Sequence, residues 1–323
     1  MTTLSSRARR PAALLTLALA GLLTACNSTG GATTPPTNAP TSPPTNAPTP
    51  AAPTPSPTPL LSPTFRADQI EHPTGATDIV LRMEQGGGHQ IFGYSYSQAP
   101  EFTLYGDGTV IFQQIDNRGA PFGSSAYLPW LVGHLDEEGM QALLQFALST
   151  GRLANAKDSY DNNTCADCGT VVFNLNAAGL NKVVNIYALE GMNEPGPDSA
   201  DRAGFAQLRA ALQDFQNQEG LGDVTEYDAE LYRVVLLEAF GEPATAPLEW
   251  PWDDLTLGDF PAGDEPGGIA ILDREHVEKL LDVPNGGHFG VWVEDPDGRF
   301  VQLAVRPLFP EEQAAVEGNE PKL

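Results

Sequence analysis

Between Asn27 and Thr64 the chain carries twelve prolines and no Asp, Glu, Lys or Arg in 38 residues. Proline fixes φ and gives no N–H to a helix or a ladder, and the stretch has little apolar surface to bury. It is therefore a tether and not a domain. It also repeats, since residues 35–41 and 43–49 both read PPTNAPT. In polyproline II form, at about 3.1 Å per residue, it spans up to roughly 120 Å, a reach that suits a thick wall or a crowded surface. Its threonine hydroxyls are acceptors for O-linked sugar. Whatever folds must be made from Phe65 onward.

Ahead of the tether, Arg7, Arg9 and Arg10 precede an apolar run from Ala12 to Leu23, broken only by Thr16 and Gly21. Positive charge followed by an apolar run is the order of a secretory signal. The run is shorter than the roughly 20 residues a helix needs to span a bilayer. Leu23, Thr24, Ala25 and Cys26 then resemble the lipobox of bacterial lipoproteins. That resemblance covers the first 26 residues. It implies removal of residues 1–25 as a signal peptide, a diacylglycerol in thioether linkage on Cys26, and a further acyl chain on the new amino group. Two or more chains anchor stably, where one alone is marginal. The alternative is a signal peptide cut nearby, which leaves Cys26 unmodified. Arg9 and Arg10 open a twin-arginine pair, but Pro11, Ala12 and Ala13 do not continue that motif. Residues 26–64 then form a lipidated cysteine and its tether, facing the cell surface or the periplasm. Asn27 is not the aspartate associated with inner-membrane retention, which in a two-membrane cell points to the outer one.

All 42 acidic residues but only 14 of the 17 basic ones follow Thr64, a formal charge of about −28 there. That balance excludes phosphate backbones and anionic lipid surfaces as partners of the folded part. A solvated acidic surface accounts for it, with recruitment of cations or of a basic partner as the alternative.

The remaining 259 residues suffice for one large or two ordinary domains. Ile79, Leu81 and Met83 alternate with Val80, Arg82 and Glu84 as in a strand. Residues 102–105 and 109–113 flank Asp107-Gly108 as a hairpin. Val171, Phe173 and Leu175 give another inward face, and residues 176–179 turn into a strand over 182–189. A third hairpin, 289–294 with 299–305, closes at Asp297-Gly298. Met140, Leu143, Leu144, Ala147 and Leu148 share one helical face, with Asp136 to cap and Gly151 to stop. Phe205, Leu208, Ala211, Leu212 and Phe215 make a second stripe, and Val277, Leu280 and Leu281 a shorter third. This order predicts an α+β fold of antiparallel sheets with a few packed helices, in two small domains at 65–222 and 223–311, with 312–323 as a C-terminal tail. LDEEGMQALL at 135–144 aligns without gaps on LDREHVEKLL at 272–281. Two related halves would produce that echo, and so would any capped helix entered from a strand.

Besides Cys26 the cysteines are Cys165 and Cys168, a C-x-x-C pair in DNNTCADCG. Outside the cytoplasm such a pair forms a structural disulfide. A thioredoxin-like role wants a helix N-terminus at the first cysteine, whereas this motif leads into a strand. A zinc site needs two further ligands, and His72, His89, His134, His276 and His288 show no ligand spacing. Asp158, Asp161, Asn162, Asn163 and Asp167 supply hard oxygen donors for calcium in the same loop, but without the spacing of an EF-hand, and Asx-rich loops also arise for turn reasons. Asp295 to Gly298, DPDG, reads as a turn.

No G-x-S-x-G elbow, H-E-x-x-H pair, P-loop or dinucleotide fingerprint occurs. Asn193-Glu194-Pro195 is similar to the acid/base tripeptide of barrel-fold glycosidases, yet the element order is not that of a (β/α)₈ barrel. A loop over 191–198 is the plainer reading. Trp250 and Trp252 bracket Pro251 ahead of an acidic loop that runs to Asp264 and Glu265. They form either a contact surface for sugars or protein partners or the edge of a core. The element order of the first half, a Gly-rich strand end at 86–88, then hairpin, helix, hairpin and closing helix, resembles emfourin-type inhibitors of thermolysin-like proteases over about 140 residues. The resemblance implies inhibition of a secreted protease and carries no inhibitory residue across. As a whole the chain looks like the acidic, uncharacterised lipoproteins of wall-bearing bacteria. The expectation is a lipid-anchored envelope or binding component that uses no cofactor or metal, with an extracytoplasmic hydrolase as a further alternative.

Overall fold

The computed structural model describes residues 70–88, 94–113, 130–162, 165–189, 197–218, 220–237, 246–261, 268–283 and 290–319. The signal, lipobox and tether readings, Cys26 among them, lie outside these residues. In chain order the elements are β1 (Ile79–Gly87), β2 (Phe102–Tyr105), β3 (Thr109–Gln113), β4 (Trp130–His134), α1 (Glu137–Leu148), β5 (Ser159–Tyr160), β6 (Gly169–Ala177), β7 (Leu180–Tyr187) and α2 (Ser199–Gln213). They continue with β8 (Thr225–Glu226), β9 (Leu231–Leu237), β10 (Leu248–Glu249), β11 (Ile269–Asp273), α3 (Arg274–Leu281), β12 (Val291–Glu294), β13 (Phe300–Pro307) and α4 (Pro310–Asn319).

Eight strands form one sheet in the order β5-β7-β6-β1-β2-β3-β4-β8, and five form another in the order β10-β12-β13-β9-β11. Among the described residues every pairing is antiparallel except the two-residue β5 with β7 and β10 with β12. The expected α+β class is the one observed. β8 pairs with β4, so the first sheet takes its last strand from beyond residue 222, where the first domain was expected to end. The described residues fall in one compact unit, within which each sheet keeps its own helix-covered core.

Local chemistry explains where the elements depart from simple alternation. A register shift between Ile79 and Leu81 inserts one residue against β2, so Val80 and Leu81 are both fully buried. The expected Ile79/Leu81/Met83 face is corrected accordingly. The bulge turns Ile79 to the opposite face, where it packs with Tyr105, Ile111 and Trp130. Ala178 and Gly179, with φ of 55° and 71°, close β6 onto β7 as a two-residue turn with both residues left-handed. The second strand thus starts at Leu180, two residues before the expected 182.

Asp136 caps α1 by accepting from the Gly139 N–H at 2.9 Å, and Asp273 caps α3 by accepting from the His276 N–H at 3.1 Å. The sequence echo therefore marks two equivalent caps. The wiring around them differs: after α1 the first strand of the next hairpin, β6, lies beside β1, whereas after α3 the second strand, β13, lies beside β9. DPDG closes β12 onto β13. Buried Asp295 accepts from the Asp297 and Arg299 N–H groups at 2.9 and 2.8 Å and from Arg299 Nε at 2.7 Å.

The expected tail is corrected by α4. Pro310 occupies the first helical position, where a missing N–H costs nothing. Glu312, three residues after Phe309, reaches back to accept the Phe309 N–H at 3.0 Å. A helix start is thereby specified over residues that composition alone marks as a charged end.

Candidate functional site

Each sheet turns its second face toward the other half. The first presents Ile79, Tyr105, Ile111 and Trp130, which pack on Phe309 and Tyr227. The second presents Val235, Leu237 and Ala304, which pack on Tyr96. Beside these apolar contacts lies a cleft of about 490 Å³, with Arg82, Glu84 and Gln85 from β1, Thr170 and Val172 from β6, and Arg306 and Glu312 at its far wall.

The first turn of α4 ties the two walls together. Glu311 accepts from Arg82 on β1 and, at 2.6 Å, from the Tyr105 hydroxyl on β2. Glu312 accepts from both terminal nitrogens of Arg306 on β13, at 2.6 and 2.7 Å, and lies 3.4 Å from Arg233 on β9. The Arg82 guanidinium also stands 5.9 Å over the Phe309 ring. Two consecutive glutamates thus serve two different sheets.

Burial works against ionised Glu312, but the Arg306 hydrogen bonds and charge, the Phe309 N–H and the Arg233 charge outweigh it, and its pKa falls below the usual carboxylate value. Burial and the like charge of Arg306 lower the Arg233 pKa against the pull of Glu312. Burial, then the charge and hydrogen bond of Glu311, hold the Tyr105 phenol well above its ordinary pKa, so it stays a donor. These charges are spent on one another, and their chemistry is that of a joint. Gln85 Oε1 and Arg306 Nε are buried without a hydrogen-bonding partner.

The residues singled out by sequence fall elsewhere. Cys165 and Cys168 form a disulfide. Its loop is tied to β7 by the Tyr187 hydroxyl, which donates to the Cys165 carbonyl at 3.2 Å and accepts from the Cys168 N–H at 3.1 Å. Trp250 and Trp252 meet edge to face at 5.1 Å between centroids, and both stack near Phe260. Their indole N–H groups donate to the Leu255 and His276 carbonyls at 2.7 and 2.8 Å. Trp252 is only 6% exposed and Trp250 is half-buried, so any surface left for a partner belongs to Trp250.

Among the described residues, no group of three or more His, Cys, Asp and Glu could hold a metal. Asn163, Glu194, His89, His288, Asp264 and Glu265 lie outside the described residues. His72 contacts Glu137 at 3.2 Å, and His276 stands between Asp273 and Asp254 at 2.7 and 3.3 Å. Sequence reading missed the α4 joint, although proline followed two residues later by glutamate is a legible helix start. No family model, curated protein or solved structure matches this chain.

Proposed function

We propose that this chain is a lipid-anchored extracytoplasmic protein whose folded part is held out on the Pro/Thr tether as a binding component of the cell envelope. The observation that carries the reading is the order of Arg7, Arg9 and Arg10, a short apolar run, and Leu23-Thr24-Ala25-Cys26. One feature of the folded part supports it: the Cys165–Cys168 disulfide suits an oxidising compartment. No helix among the described residues is long and apolar enough to cross a membrane; in this reading acyl chains on Cys26 are the anchor. Partitioning into detergent tests the reading. The native chain is expected in the detergent phase and the Cys26→Ser chain in the aqueous phase. A Cys26→Ser chain that stays with the detergent overturns it.

A second reading, inhibition of a secreted thermolysin-like protease, is favoured by the succession of β1, the β2–β3 hairpin, α1, the β6–β7 hairpin and α2. Undiminished protease activity at micromolar excess of the chain rejects it.

A further inference from the structure

In a chain with 42 acidic residues, the 21 residues from Gly169 to Leu189 contain none. They make up the β6–β7 hairpin and the two residues that follow it. Their one charged side chain, Lys182, is committed away from the open face, its ammonium donating to the Leu153, Ala154 and Ala156 carbonyls. Val171, Phe173, Leu175, Val184 and Ile186 point into the helix-covered core. The other face is therefore uncharged, and its rows follow from the register. Thr170 faces Tyr187, Val172 faces Asn185, Asn174 faces Val183, and Asn176 faces Asn181.

This face is open to solvent: Asn176, Asn181 and Asn185 are exposed, and Val183 is 48% exposed. Among the described residues, the amides of Asn174, Asn176 and Asn181 meet no hydrogen-bonding partner, whereas Asn185 reaches the Asp158 carbonyl at 3.3 Å. The face is also a floor between two hollows. Thr170 and Val172 line the 490 Å³ cleft, whose remaining wall carries Arg82, Glu84, Arg306 and Glu312, and Asn174, Asn176, Asn181 and Val183 line a second hollow of about 310 Å³ bordered by Asp78 and Lys182. Antiparallel sheets commonly leave one face solvated, and on this hairpin a strongly acidic chain places no acidic side chain there.

We infer that this face binds a neutral glycan strand. This deepens the binding role proposed above and rests on it. Each asparagine offers a donor and an acceptor side by side, which matches neighbouring hydroxyl or acetamido groups on a sugar. Val172, Val183 and the half-buried Tyr187 ring supply apolar patches for the C–H faces of pyranose rings. The open side chains of the hairpin carry no fixed charge that an uncharged ligand would have to desolvate, and the cations that border it are already engaged, Arg82 by Glu311 and Lys182 by backbone carbonyls, so an anionic polymer would meet no free cation and repulsion from the rest of the chain.

The full chain, purified in detergent, is titrated with N-acetylchitohexaose and with cellohexaose by calorimetry. Saturable binding of either is expected, weakened about tenfold or more by Asn181→Asp combined with Asn185→Asp. Both positions are exposed, so an unchanged thermal transition shows that the variant folds. Val183→Asp is the second variant and is expected to weaken binding in the same direction. No saturable binding of either sugar at millimolar concentration, or equal binding by wild type and both variants, overturns the inference. Detergent partition of the same preparation reports on the anchor separately, so failure of the glycan assignment is distinguishable from failure of the lipoprotein reading.

Discussion

Both terminal nitrogens of Arg306 reach the carboxylate of Glu312, at 2.6 and 2.7 Å, although the arginine lies on β13 and the glutamate in the first turn of α4. Arg306 is 3% exposed. Removing its partner leaves a buried charge uncompensated. Glu312→Ala is expected to destabilise the fold by about 3 kcal/mol, measured as a lower urea midpoint at neutral pH. The folded pKa of Glu312 is depressed. Its contribution is therefore full above the pH at which an unfolded glutamate titrates, and it is lost as pH falls through the lower folded value. Wild type and variant should converge in stability in acid, and a gap that stays constant down to the lowest pH at which both fold would contradict this assignment.

His276 sets the opposite dependence. Hydrogen bonds donated to Asp273 and then to Asp254 raise its pKa, against a smaller opposing effect of burial. Its contribution is complete below the unfolded histidine value and disappears as pH rises through the higher folded one. In His276→Ala the stability curve should lose that step near neutrality while the Asp273 cap persists. Parallel pH profiles for the two proteins would show that the imidazolium contributes nothing.

Trp252 separates packing from contact. Its indole is buried between Trp250 and Phe260, with its N–H bonded to the His276 carbonyl. Trp252→Ala should cost about 3–5 kcal/mol and lower the thermal midpoint far more than Trp250→Ala does. Loss of both side chains without thermal cost would restore the contact reading for this pair.

The Cys165–Cys168 bridge closes a very short loop, so a double Cys→Ser variant should lose only about 2 kcal/mol in the chain-entropy estimate. The change is expected to concentrate around Tyr187, whose hydroxyl holds both ends of the loop. Alkylation of freshly secreted protein checks the bond: both thiols should react only after reduction, and labelling without reductant would contradict it.

The parts of the fold that were readable in the sequence are those specified locally. Asp107-Gly108 and Asp297-Gly298 mark their turns through residues that accept positive φ, and Gly108 and Gly298 do so at 92° and 78°. Asp136 and Asp273 mark helix starts through their side-chain oxygens. What was not readable depends on partners distant in sequence. The bulge at Val80 exists because two faces of β1 serve two different cores. Arg82 and Glu311 are 229 residues apart, and nothing local to either announces the other. The uncharged face of β6 and β7 was hidden for another reason: it shows as absence of charge over a 21-residue stretch, and motif searches look for residues that are present.

Intact-mass measurement of the protein extracted from its membrane bears most directly on the proposed anchor. The N-terminal fragment should begin at Cys26 and weigh more than its amino acids by a diacylglycerol and one further acyl chain. A fragment of unmodified mass, from a protein that still sediments with the membrane, would contradict lipid anchoring.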